Sequence, residues 1–160
     1  MLKTRQSPTR RRILGMLAVA ASGTAAAAGC LWPFQVLAAA WNKAAFDARV
    51  LADVLNSIGA SDAVESTQIQ LKAPEIAENG AIVPVEVTSG LPGTQSIFII
   101  AEKNLQPLTA IFDFTEGVEP FVSTRIKMGE SSKVMIVVKA DGKFYFTARE
   151  VKVTIGGCGG

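Results

Sequence analysis

The chain has no histidine. That absence excludes Ser-His-Asp and Cys-His catalysis and every metal site that needs an imidazole. Cysteine is almost as scarce, with two in 160 residues, Cys30 and Cys158. They cannot form the Cys-x-x-Cys pair that a thiol oxidoreductase normally carries. A basic surface is missing too, although the whole-chain balance of +2 hides this. Lys3, Arg5, Arg10, Arg11 and Arg12 supply five of the 16 positive charges, all within the first 40 residues. The remainder holds 11 positive against 14 negative charges, a net −3. A mildly acidic domain is a poor nucleic-acid partner, because phosphate neutralisation needs clustered Lys and Arg. Heptads and internal repeats are absent, and low complexity is confined to the alanines near the start and the glycines at the end.

What is present at the start reads as targeting rather than fold. The consecutive arginines Arg10-Arg11-Arg12 precede an apolar, alanine-rich run from Ile13 to Ala28. This is the pattern of a twin-arginine export signal. Ala38-Ala39-Ala40 offers a small-residue cleavage site, so residues 1–40 are expected to leave and the domain to begin at Trp41. Ser22, Thr24 and many small residues make the run too weakly apolar for a stable span, so no membrane segment is expected after cleavage. Cys30 leaves with the signal, and Cys158 remains as a single thiol in an oxidising compartment. Such a thiol pairs between molecules or reacts with something small.

Residues 41–155 are one domain in length. Residues 41–58 are predicted as a helix: Phe46, Val50, Val54 and Ile58 recur at i, i+4, and Gly59 is a stop signal. Asp47 interrupts its apolar arc. The helix either docks a partner or packs on a sheet. From Thr67 the period becomes two. Ile69 and Leu71 alternate with polar residues, as do Val83, Val85 and Val87. Pro84 has no amide hydrogen and predicts an edge strand or a strand start. Gly90-Leu91-Pro92-Gly93 is a turn. Ile97 to Ala101 is continuously apolar, as a strand buried on both faces is. Leu108, Ala110, Phe112 and Phe114 are predicted to share one face; Val122, Ile126 and Met128 another; then Val134, Ile136 and Val138. Asp141-Gly142 signals a two-residue hairpin. The last strand changes parity: Phe144, Phe146 and Ala148 against Val151, Val153 and Ile155. A bulge near Arg149-Glu150, or a strand that switches sheets, reconciles the halves. About seven short strands at even spacing predict an all-β, immunoglobulin-like sandwich.

The chain closes on Gly156-Gly157-Cys158-Gly159-Gly160. Four glycines give a core nothing to pack against, and glycine loses the most freedom when ordered. The expectation for 156–160 is a flexible arm with its thiol outside. Gly156 to Cys158, fully extended, spans about 10 Å. A free thiol has a pKa near 8.5 and must ionise to act as a nucleophile. Arg149 and Lys152 are the nearest cations in sequence, and no base with an orienting partner accompanies Cys158, so no catalytic centre and no metal site is expected. Glu150 reads as a solvated surface carboxylate. Cys158 is an attachment point activated by others.

The Gly-Gly-Cys-Gly-Gly ending on a short, exported, β-rich chain resembles the SoxY family, the Y subunit of the SoxYZ sulfur carrier of bacterial thiosulfate oxidation. The resemblance implies a periplasmic, immunoglobulin-like carrier with no resident cofactor. It implies that Cys158 is joined to thiosulfate as a cysteine S-thiosulfonate by the haem enzyme SoxAX. SoxB then removes sulfate, and SoxCD, where present, processes the remaining sulfur. A heterodimer with SoxZ is implied, with the strands around Val134–Val138 and Phe144–Phe146 as candidate faces. Other readings stay open. One is a module that dimerises through a Cys158 disulfide. Another is a ubiquitin-like carrier that uses the Gly159-Gly160 carboxylate, against which the export signal counts.

Overall fold

A computed structural model of the protein describes residues 42–155. The expectations for the signal segment with Arg10, Arg11 and Arg12, for Cys30, and for the 156–160 segment with Cys158 lie outside the described residues. Two short helices, α1 (Lys43–Asp47) and α2 (Leu51–Ile58), lead into the strands. These are β1 (Val64–Glu65), β2 (Ile69–Lys72), β3 (Ile76–Ala77), β4 (Val83–Ser89) and β5 (Thr94–Ala101), then β6 (Leu108–Asp113), β7 (Phe121–Ile126), β8 (Ser132–Ala140) and β9 (Lys143–Val153). Seven of them have four residues or more, as the sequence spacing predicts; β1 and β3 are two-residue additions.

The single helix expected over 41–58 is two helices. Ala48 has ψ 143 and Val50 is extended at φ −131, ψ 150. The reason is geometric. Ala45 and Val54 are both fully buried in one cluster, yet they stand nine positions apart. At about 100° per residue that places them on opposite sides of one straight helix. The break after Asp47 turns both toward the same sheet and leaves Val50, on the predicted stripe, 53% exposed. Local chemistry holds each piece. The Asn42 side chain accepts from the Ala45 amide at 3.1 Å, an N-cap, and its amide group donates to the Ser57 carbonyl at 3.2 Å. Gly59, at φ 77, ends α2, with Ala60 N donating to Leu55 O at 2.8 Å.

The strands form two sheets. One has six strands in the order β1-β9-β8-β5-β6, with β3 also paired to β9. The other is β2-β4-β7. Val83, Val85, Val87, Val122 and Ile126 of the smaller sheet pack on Ile97, Ile99, Val134, Ile136 and Val138 of the larger one. This is the predicted immunoglobulin-like sandwich core. The helices cover the outer face of the larger sheet, where Phe98, Ile100 and Val137 meet Ala45 and Val54. Hence β5 and β8 are buried on both faces, as the unbroken apolar run of Ile97 to Ala101 requires. Each fully buried Val, Leu or Ile contributes roughly 1.5–3 kcal/mol of transfer free energy.

Three register details depart from simple alternation. Leu108 does not share a face with Ala110, Phe112 and Phe114. A bulge between Ile99 and Ile100 pairs Ile99 with Ala110 but Ile100 with Leu108, so Leu108 turns to the helices. The last strand has no bulge: β8 and β9 stay in register from Ser132↔Val151 to Ala140↔Lys143. Its parity change arises because the two faces are covered at different points along its length. Phe144 and Phe146 lie beneath the helices; Val151 and Val153 face the sandwich. Finally, β4 is the central strand of its sheet, not an edge. Pro84 is tolerated because it sits at the strand start, past the reach of β2, whose pairing stops at Lys72↔Glu86. The predicted hairpin forms at Asp141 (φ 48) and Gly142 (φ 73), the paired positive values of a type I′ turn.

Candidate functional site

The candidate thiol, Cys158, and its glycines Gly156, Gly157, Gly159 and Gly160 follow directly on the last described residue, Ile155. What the fold shows is the root of that segment. β9 is held to its end from both sides. On one edge, Lys152 N donates to Glu75 O at 2.9 Å, Thr154 N to Ala77 O at 3.0 Å, and Thr154 Oγ1 to Glu78 O at 2.9 Å. Gly80 N then donates to Ile155 O at 2.8 Å. On the other edge, Val153 N donates to Ser131 Oγ at 2.8 Å. The backbone is thus pinned through Ile155 by main-chain groups and two hydroxyls, those of Thr154 and Ser131.

The expectation that Ile155 anchors the last rung holds for its carbonyl and fails for its side chain, which is 68% exposed. The parity of Val151 and Val153 continues to Ile155, but the core ends before it. Two other exposed aliphatics, Ile76 and Ile82, flank the strand and the loop that hold this root.

A second loop joins the root through Gly80. Met128 N donates to Gly80 O at 2.7 Å, so Lys127 and Gly129 stand beside the point where the chain leaves the sheet. Asn104 fastens this loop to the β5–β6 connection. Its Nδ2 donates to Lys127 O at 2.7 Å and its Oδ1 accepts from Gly129 N at 2.9 Å. Between the two loops lies a cleft of about 510 Å³, with Lys103, Lys127 and Glu130 in its walls. Sequence reading missed both lysines, since they come close to the root only through backbone bonds from distant loops.

The nearest cations in sequence behave otherwise. Arg149 donates to Ala73 O at 3.1 Å, and Lys152 and Glu150 are exposed. Among the described residues no group of three or more Cys, Asp or Glu is placed to hold a metal. No described helix is long and apolar enough to cross a membrane. The strands offered as partner faces are interior. Val134, Ile136 and Val138 belong to the sandwich, Val137 lies beneath the helices, and Phe144 and Phe146 are half-buried there. The helix segment likewise packs on the sheet.

Known proteins agree with this architecture. A search of curated proteins found no match. Among solved structures, the chain is similar to the sulfur carrier protein SoxY from Chlorobium limicola f thiosulfatophilum. They share 46% identity over 66% of this chain and 96% of that one, with a TM-score of 0.59. A superoxide reductase (neelaredoxin) variant, T24K, from Ignicoccus hospitalis shares 19% identity over 56% of this chain and 82% of its own, with a TM-score of 0.49. The family model for the sulfur oxidation protein SoxY matches residues 55–158, a span that runs from α2 through Cys158. On that match and the Chlorobium structure, the chain belongs to the SoxY family of sulfur oxidation proteins.

Proposed function

We propose that the protein is a sulfur carrier that holds thiosulfate-derived intermediates covalently on Cys158 and presents them to partner enzymes. One observation carries the reading. The family match extends through Cys158, and the strand leading to it is fastened on both edges up to Ile155. The relative from Chlorobium is itself a sulfur carrier protein, which supports the same role here.

The chemistry follows from a single thiol. Joining thiosulfate to Cys158 turns Cys–SH and S–SO₃²⁻ into Cys–S–S–SO₃⁻ and releases one proton and two electrons. The chain has no group to take those electrons, so the step belongs to a haem partner of the SoxAX type. Water then converts Cys–S–S–SO₃⁻ into Cys–S–S⁻, sulfate and two protons, the hydrolysis of a SoxB-type partner. A SoxCD-type partner, where present, takes the remaining sulfur further. This chain supplies no base or acid to either step. It supplies reach, because glycine lets another protein close around bare backbone. The reading includes export by the twin-arginine signal at Arg10–Arg12, cleavage after Ala40, work in the periplasm, and a heterodimer with SoxZ.

Intact mass of the protein from cells grown with and without thiosulfate tests this. Sulfur-sized increments are expected only with thiosulfate and are expected to vanish in Cys158→Ala. Increments that persist in that variant, or a thiocarboxylate on Gly160, sink the proposal. A species that is only a Cys158 disulfide dimer on a non-reducing gel sinks it equally.

A further inference from the structure

The cleft between the β5–β6 connection and the loop after β7 has no part in holding the fold together that its lysines explain. Lys103 and Lys127 both line it. Among the described residues the ion pairs are Lys43–Asp47 and Lys72–Glu86, so neither cleft lysine has a carboxylate within 4 Å. Glu130 shares the cleft without pairing to either. A third cation stands beside it, since Arg49 reaches from the α1–α2 link to donate to Leu105 O at 3.5 Å, and Leu105 also lines the cleft. Asn104 spends both ends of its amide on Lys127 O and Gly129 N, which fixes the spacing of the two walls. The site is therefore shaped, and among the described residues its two ammonium groups are in no ion pair.

Two backbone bonds link the cleft's loop to the root of the arm. Ile155 O is bonded to Gly80 N, and Gly80 O to Met128 N, the residue between cleft-lining Lys127 and Gly129. Two residues separate Ile155 from Cys158, and the three Cα-to-Cα steps give a reach of about 10 Å. The adduct expected on Cys158 ends in a sulfonate, an anion that no residue of 156–160 can balance by its side chain. Opposite charge, a short tether and a preformed cleft meet at one place.

We infer that this cleft is the resting berth of the loaded segment 156–160, with Lys103 and Lys127 holding the sulfonate of an S-thiosulfonate on Cys158. The inference rests on the carrier reading. The berth keeps the labile S–S bond against the domain between encounters and releases it when a partner's own cations compete. A short tether gives an effective concentration in the millimolar range, so millimolar affinity of the cleft for the sulfonate is enough to hold it.

The test uses the full chain, isotopically labelled, with Cys158 loaded chemically by tetrathionate. In that step Cys–S⁻ and S₄O₆²⁻ give Cys–S–S–SO₃⁻ and S₂O₃²⁻, and intact mass reports completion. The amide resonances of Asn104, Leu105 and Gly129 are expected to move on loading. The movement should shrink by about threefold or more in K103Q/K127Q and in about 1 M salt, where charges are screened within about 3 Å. A control pair far from the cleft, K72Q/K143Q, should leave it unchanged. Complete loading by mass with changes confined to residues next to Cys158 overturns the berth, as does an equal loss in the control pair. Inorganic thiosulfate added to Cys158→Ala should move the same amides only at millimolar levels; saturation far below that overturns the tethered reading in favour of a free-anion site. Chemical loading needs no partner enzyme, so failure of the berth and failure of the carrier reading are separately visible.

Discussion

A Cβ placed on Gly93 lies 2.0 Å from Oδ1 of Asp141 and 2.7 Å from its Cγ. The β4–β5 turn and the β8–β9 hairpin therefore touch where only a hydrogen fits, and Asp141 N donates to Gly93 O at 3.2 Å across the contact. Gly93 also has φ +63, which side chains resist. Gly93→Ala is expected to destabilise the domain by about 1 kcal/mol or more, chiefly through the left-handed backbone, with a smaller part from pushing the exposed Asp141 carboxylate aside. The double variant Gly93→Ala with Asp141→Ala should lose less than the sum of the two singles, because the clash disappears while the strain stays. Denaturant midpoints measure both.

Val54 is fully buried between α2 and the outer face of the larger sheet. Val54→Ala removes two methyl groups from a closed site and should cost about 2 kcal/mol. Val50→Ala, four residues away and exposed, should cost less than about 0.5 kcal/mol. A continuous helix over this stretch predicts comparable losses at both positions, so chemical denaturation of the pair checks the break after Asp47.

Ser131 accepts from the Val153 amide at 2.8 Å. Ser131→Ala leaves that half-buried amide without its acceptor, at a cost of about 1–3 kcal/mol. Hydrogen exchange at Val153 and Thr154 should quicken, while the amides of β5, paired on both sides by β6 and β8, keep their protection. Exchange that quickens equally in β5 contradicts a local role for this bond.

Gly157→Pro fixes one backbone angle of the arm and adds a ring beside the thiol. Alkylation of Cys158 by a small reagent should change by no more than about twofold, since the proposed carrier role requires a thiol that small reagents reach in both forms. Loading by a SoxAX-type partner should fall by about tenfold or more, because small misplacements are costly in an enclosed site. Equal losses in both assays, compared by rate constants, contradict the role of the glycines as joints.

Membership of the SoxY family was legible at Gly156–Gly160, where four glycines surround one cysteine, and the family match running through Cys158 agrees. Most of the sandwich was legible too: Val83, Val85 and Val87 alternate, Ile97 to Ala101 does not, and each pattern states how many faces are covered. Errors came where a strand or helix serves two clusters. The parity change in β9 suggests a bulge or a switch of sheets, whereas the helices cover Phe144 and Phe146 and the sandwich covers Val151 on one regular strand. Leu108 was misplaced because the extra residue in a bulge carries no composition of its own. The neighbours of Ile155 were hidden for a different reason. Gly80 and Met128 reach it through main-chain groups that every residue possesses.

The strand that bears the arm lies inside its sheet, with antiparallel β8 along one edge and parallel β1 and β3 at the two ends of the other. A partner that seizes the cargo and hauls on it loads these rungs in shear, all at once, rather than peeling them one by one. Because β8, β1 and β3 share that load, the domain resists a pull on the end of β9 as one unit.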